Sequence, residues 1–109
     1  MSILLINAQP MTGNISETVE KPKGKTKAFF EFEWTAGDAE DPEGTFSIRG
    51  GNSGTNWFEV STASSNPDGT GAGTAFANVY EVAADKVNVL FTQTAGDSGA
   101  LLSCWVNFE

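Results

Sequence analysis

T-F-S-I-R-G-G-N-S-G-T-N-W-F-E-V, residues 45–60, sets two short apolar runs around a turn of glycine, serine and asparagine. K-V-N-V-L-F-T-Q-T-A-G-D-S-G-A-L-L-S-C-W-V-N-F, residues 86–108, repeats the device on a longer scale. Alternating apolar residues interrupted by such a turn are how a β-hairpin is written. The first block is expected to pair Thr45–Arg49 with Trp57–Thr62. The second is expected to pair Lys86–Gln93 with Ala100–Phe108 around a Thr94–Gly99 turn.

The same reading extends outward along the chain. Ile3–Ile6 reads as a first strand, ended by Gln9-Pro10 and a Gly13-Asn14 turn signal, and a weaker strand covers Ile15–Val19. In Ala28–Trp34 the residues Phe30, Phe32 and Trp34 alternate with Glu31 and Glu33, the period-two pattern of a strand with one face in water. Thr74–Val82 follows the polar stretch Ser64–Gly73. The count is about eight strands with no internal repeat, so residues 1–109 are expected to form one all-β sandwich, jelly-roll or immunoglobulin-like. Both topologies are written as short alternating strands, and the choice stays open here. The expected core is Phe46, Ile48, Phe58, Val60, Val87, Val89, Phe91, Leu102, Cys104, Val106 and Phe108, together with Trp34. Trp57, Leu90, Leu101 and Trp105 fall on opposite faces, and a strand apolar on both sides needs cover on both.

Composition narrows the function. With 109 residues the chain buries roughly 65% of its unfolded surface, enough for a core without staples. One cysteine, Cys104, leaves no internal disulfide, and it reads as a small buried hydrophobe. The absence of histidine removes the commonest general base and the commonest transition-metal ligand. A net charge of −8 argues against nucleic acid and anionic membranes as partners. The N-terminus lacks the basic start and apolar length of a signal peptide or membrane span. No enzyme activity and no cofactor are expected.

Several groups invite a sharper reading. Asp38, Glu40, Asp41 and Glu43 crowd one loop closely enough to hold calcium, but without regular ligand spacing they read first as a solvated loop. Glu31 and Glu33 lie roughly 6.5–7 Å apart on one strand face, a glycosidase-like separation, yet the sequence announces no cleft around them. Lys21, Lys23, Lys25 and Lys27 hold four of the six basic residues in one turn. That turn guards a sheet edge, or meets an acidic loop on a neighbouring subunit. Trp34, Trp57, Tyr80 and Trp105 are candidates for a sugar-stacking platform, with Asn56, Asn78 and Asn88 as polar neighbours. Gly50-Gly51-Asn52-Ser53-Gly54 lacks the lysine and helix of a phosphate loop, and is read as a strand turn.

I-R-G-G-N-S-G-T-N-W (Ile48–Trp57) and V-N-V-L-F-T-Q-T-A-G-D-S-G-A-L (Val87–Leu101) together resemble small β-sandwich modules of tailed-phage virion proteins. The resemblance covers about half the chain and rests on turn chemistry and one tryptophan. Two details depart from it: Ser53-Gly54 replaces the usual Asp-Gly turn, and Asn88 stands where an arginine is common. It implies a capsid decoration or cement protein on the capsid surface of a virion, made in the host cytoplasm. Its partners would be the major capsid protein and copies of itself, as a dimer or trimer. A module starting at its own methionine, with no linker, fits decoration better than a fibre fragment. The expected interface is Ile3, Leu4, Leu5, Trp57, Leu90, Leu101 and Trp105, the N-terminal segment adding a strand to a neighbour. The competing expectation is a carbohydrate-binding or receptor-binding module of a tail or fibre.

Overall fold

A computed structural model describes residues 2–96 and 99–109. Asp97 and Ser98, within the turn expected in the second block, lie outside the described residues. The described residues form eight strands: β1 (Ser2–Pro10), β2 (Ile15–Glu20), β3 (Ala28–Trp34), β4 (Glu43–Gly51), β5 (Phe58–Thr62), β6 (Gly73–Val79), β7 (Lys86–Ala95) and β8 (Leu101–Phe108). They form two four-stranded sheets. Sheet one runs β1-β8-β3-β6 and sheet two β2-β7-β4-β5, with every neighbouring pair antiparallel. The order settles the topology left open by the sequence. β1 pairs with β8, β2 with β7, β3 with β6 and β4 with β5, a nested hairpin rolled into two layers, which is a jelly roll.

Only β4 and β5 are sequence neighbours that share a sheet, so the first block is a true hairpin. The second block is not. β7 lies in sheet two against β2 and β4, while β8 lies in sheet one against β1 and β3. The link between them is an arch across the core. A hairpin would set Val87, Val89 and Phe91 beside Leu102, Cys104 and Val106 on one face of one sheet. In the arch the two apolar rows face each other and fill the roughly 10 Å between sheets. Gly96 and Gly99 hold φ 72° and 78°, values that glycine adopts without strain.

The alternation in each strand decides what enters this core. Phe30, Phe32 and Trp34 from β3 join Phe46 of β4 and Phe91 of β7 in one buried cluster. Phe32 and Phe46 stack with centroids 4.3 Å apart, and Phe91 tilts onto Phe46 at 5.4 Å. The Trp34 indole lies directly over Gly73, where a Cβ would collide with its ring. Its Nε1 donates to the Gly71 carbonyl at 3.1 Å.

Two expected core residues are exposed. Phe58 is 72% and Val60 47% accessible. β5 is the edge of sheet two, and a bulge shifts its register between Arg49 and Ile48 of β4, leaving Val60 as the extra residue. Phe58 lies opposite Gly50, on the core side, but no strand of sheet one covers it there. β1, the edge of sheet one, carries two register irregularities, and Ala8 there has φ 47°. Kinks of that kind blunt an edge against further pairing.

Candidate functional site

The outer face of sheet one is built by the residues that alternate with the core. On β3 these are Phe29, Glu31 and Glu33. On β6 they are Thr74, Phe76 and Asn78, and on β8 Leu101, Ser103, Trp105 and Asn107. The register aligns them in rows. Glu31 lies opposite Trp105 on one side and Phe76 on the other, and Leu4 of β1 extends that row beyond Trp105. Opposite residues have Cβ atoms roughly 4.5–5.5 Å apart, so an aromatic side chain starts on each side of Glu31.

A shallow groove of about 470 Å³ runs over this face, lined by Phe29, Glu31, Glu33, Thr74, Phe76 and Trp105 among others. Phe29 and Phe76 are stacked at 6.1 Å. Phe76 is 49% accessible, and both glutamates are exposed. The carboxylates therefore sit in a depression that the sequence did not announce. Apolar ring faces beside hydrogen-bond acceptors with open valences are the surface that a pyranose recognises: C–H groups against the ring, hydroxyls to the acceptors.

The residues expected to bind are divided among different places. Leu4, Leu101 and Trp105 are on the outer face of sheet one. Ile3 is exposed beside Phe108, Pro22 and Lys25, and Leu5 packs partly onto the core. The Ile3–Ile6 segment is hydrogen-bonded to β8 of its own sheet. Leu90 belongs to sheet two, on its outer face opposite Ser16 and Ser47, and Trp57 lies in the turn just before β5, its ring against Gly51. Of the four aromatics considered for stacking, Trp34 is core and Tyr80 is exposed at the far end. Only Trp105 is on the groove. Its companions Phe29 and Phe76 are legible in the sequence as aromatics on the polar side of alternating strands, though neither is a tryptophan or tyrosine.

Asn88 is likewise not a surface amide. It is buried on the outer side of sheet two, where Arg49 Nε and Nη2 donate to its Oδ1 at 3.0 and 2.7 Å. Its Nδ2 donates to Ser16 Oγ, Thr18 Oγ1 and the Glu17 carbonyl. The Arg49 guanidinium lies 5.6 Å from the Trp57 ring centroid. These contacts tie β2, β7, β4 and the turn before β5 into one polar knot.

A second groove of about 470 Å³ opens at the end of the sandwich between the β4–β5 turn and the β6–β7 loop, where Phe58 and Val60 are exposed. Asn52 Oδ1 accepts from the Asp85 amide at 2.8 Å and joins its walls. The lysine turn packs nearby, with Lys21 Nζ donating to the Val82 carbonyl. Asp38, Glu40, Asp41 and Glu43 fall at the opposite end. Among the described residues no three acidic or sulfur side chains converge to hold a metal. Cys104 is buried, and burial pushes its thiol up to about 12.

No protein-family model and no curated protein sequence matches the chain. Solved structures do. The SPBc2 prophage-derived protein YomS superposes with a TM-score of 0.65 at 9% identity, covering 100% of this chain and 92% of that one. The enzymatically active domain of bacteriophage CBA120 tailspike protein 4 gives 0.58 at 13% identity, over 94% of this chain and 15% of the tailspike chain. A β-1,3-glucan-binding family 6 carbohydrate-binding module from Bacillus halodurans gives 0.51 at 16% identity, over 100% and 95%. At these identities the likeness establishes the fold: an all-β sandwich of two antiparallel sheets.

Proposed function

We propose that this chain is a non-catalytic binding module of a phage virion that takes glycan on the outer face of sheet one. The observation that carries the reading is the aligned row Trp105, Glu31, Phe76, with Phe29 and Glu33 beside it in one open groove. The rings give a sugar apolar faces to lie on, and the carboxylates accept its hydroxyls through charge-assisted hydrogen bonds. A family 6 carbohydrate-binding module shares the fold over almost its full length, which supports the ligand class. The prophage protein and the tailspike domain support the virion setting. An open, solvated groove with two or three such contacts binds at roughly millimolar strength, so useful avidity comes from many copies on one particle. The test is a glycan microarray, followed by electrophoresis through gels containing the polysaccharides it selects. The wild type is expected to be retarded, and Trp105→Ala and Phe76→Ala are each expected to lose at least about tenfold in affinity. Retention of binding in both variants would remove the site.

A second reading keeps one observation in its favour. Leu4 and Leu101 are exposed on the same face as Trp105, next to the edge of β1. In a decoration protein that apolar strip would pack against the major capsid protein or another copy. Light scattering across a concentration range separates the two: the decoration reading expects a stable dimer or trimer, the glycan reading a monomer.

A further inference from the structure

We infer that the sheet-one groove selects cationic glycans, oligomers carrying free amino sugars such as glucosamine, over neutral and acidic ones; this rests on the glycan reading above. The groove places charge between aromatic side chains. Glu31 and Glu33 are successive outward residues of β3, so their side chains leave the same face roughly 7 Å apart. Glu31 has an aromatic side chain directly opposite on each neighbouring strand, Trp105 and Phe76.

An ammonium seated over Glu31 would therefore meet a carboxylate with an aromatic side chain on either side. Each of those attracts a cation, the rings through their quadrupoles. A hydroxyl at the same point gains only a hydrogen bond. An N-acetyl group gains neither the ion pair nor the cation–π contact, and it adds bulk.

Nothing positive opposes this preference. All six basic residues lie elsewhere: four in the β2–β3 turn, Arg49 in the polar knot of sheet two, and Lys86 in sheet two opposite Glu20. Neither glutamate of the groove is in a described ion pair, the described bridge being Lys86 to Glu20 at 3.9 Å. A uronate or phosphate brought to this face meets uncompensated negative charge, in a chain of net charge −8. Because the groove is open to solvent, the selectivity is an electrostatic one that salt screens.

The test titrates the full chain, by tryptophan fluorescence and calorimetry in mildly acidic low-salt buffer, with four hexasaccharides. These are glucosamine, N-acetylglucosamine, xylose and galacturonate oligomers; a lysine hexapeptide is the fifth probe. The glucosamine oligomer is expected to bind at least about tenfold more tightly than its N-acetylated counterpart, and galacturonate not measurably. The ratio should collapse toward one in Glu31→Gln/Glu33→Gln and at high salt. Both positions are exposed, and thermal unfolding of the double variant checks that it folds. Equal or tighter binding of the neutral oligomers overturns the inference and leaves the glycan reading standing. Binding of the lysine peptide as tight as glucosamine overturns it in favour of a general cation trap. If none of the saccharides binds, the glycan reading falls, and this inference with it.

Discussion

Asn88 shows how one residue type can carry two opposite roles. As an isolated asparagine in an alternating strand it reads as a polar outward residue, and outward it is. What the alternation does not reveal is that Arg49, Ser16 and Thr18 close over it. Every hydrogen-bonding group of its amide is then taken up from the two flanking strands, β2 and β4. Asn88→Ala removes those bonds and strands the arginine, and is expected to cost about 2–3 kcal/mol in a urea melt. Asn88→Asp restores an acceptor for Arg49 but loses the donors to Ser16 and Thr18, so it should recover only part of that. Cys104 is the contrasting case: its place in an alternating apolar strand announced a buried thiol. Its folded value is raised from 9.0 to about 12 by burial, so the folded state keeps the proton while the unfolded state gives it up. Stability from this group is intact below about pH 9 and lost as pH rises toward 12, with a slope of at most about 1.4 kcal/mol per unit. Cys104→Ala should lack that slope when unfolding is followed between those limits.

At the level of elements, the alternation in β3, β4 and β8 was sufficient to place the core, because period two leaves no other way to bury Phe30, Phe46 or Val106. Pairing was legible only where it is local. The β4–β5 turn joins strands of one sheet, and its glycine, serine and asparagine read correctly as a hairpin. The link from β7 to β8 has similar length and chemistry, yet it crosses the core. Turn residues report that the chain reverses; they do not report whether it returns to the same sheet. The exposure of Phe58 and Val60 was hidden for a related reason, since an edge strand looks like any other until its missing neighbour is known. The groove on sheet one had a partial signal, in that Phe29, Phe76 and Trp105 are aromatics on the polar side of their strands. Their convergence around Glu31 required the register. Gly73 tests the packing that holds β6 beneath this face: Gly73→Ala sets a methyl into the Trp34 ring and is expected to cost about 1–3 kcal/mol in thermal or urea unfolding.

On the scale of the molecule, the nested pairing makes most contacts distant in sequence, Ser2 with Asn107 and Glu20 with Lys86 among them. Such a topology folds slowly, in milliseconds to seconds, and refolding after a denaturant jump should show it. The sandwich leaves three surfaces of different character. The outer face of sheet one is aromatic and acidic, that of sheet two is closed by the Asn88 knot, and an apolar groove sits at the lysine-bearing end. A net charge of −8 argues against nucleic acid and the sequence holds no histidine, but composition does not say which of these surfaces binds. Glycan binding is proposed at the first of them. The most direct test is a heteronuclear NMR titration of the assigned chain with the best ligand from the array. It predicts shifts concentrated at Glu31, Glu33, Phe76 and the Trp105 indole, with Phe58, Val60 and Val82 unmoved. Shifts confined to the end groove, with the sheet-one face silent, would contradict it.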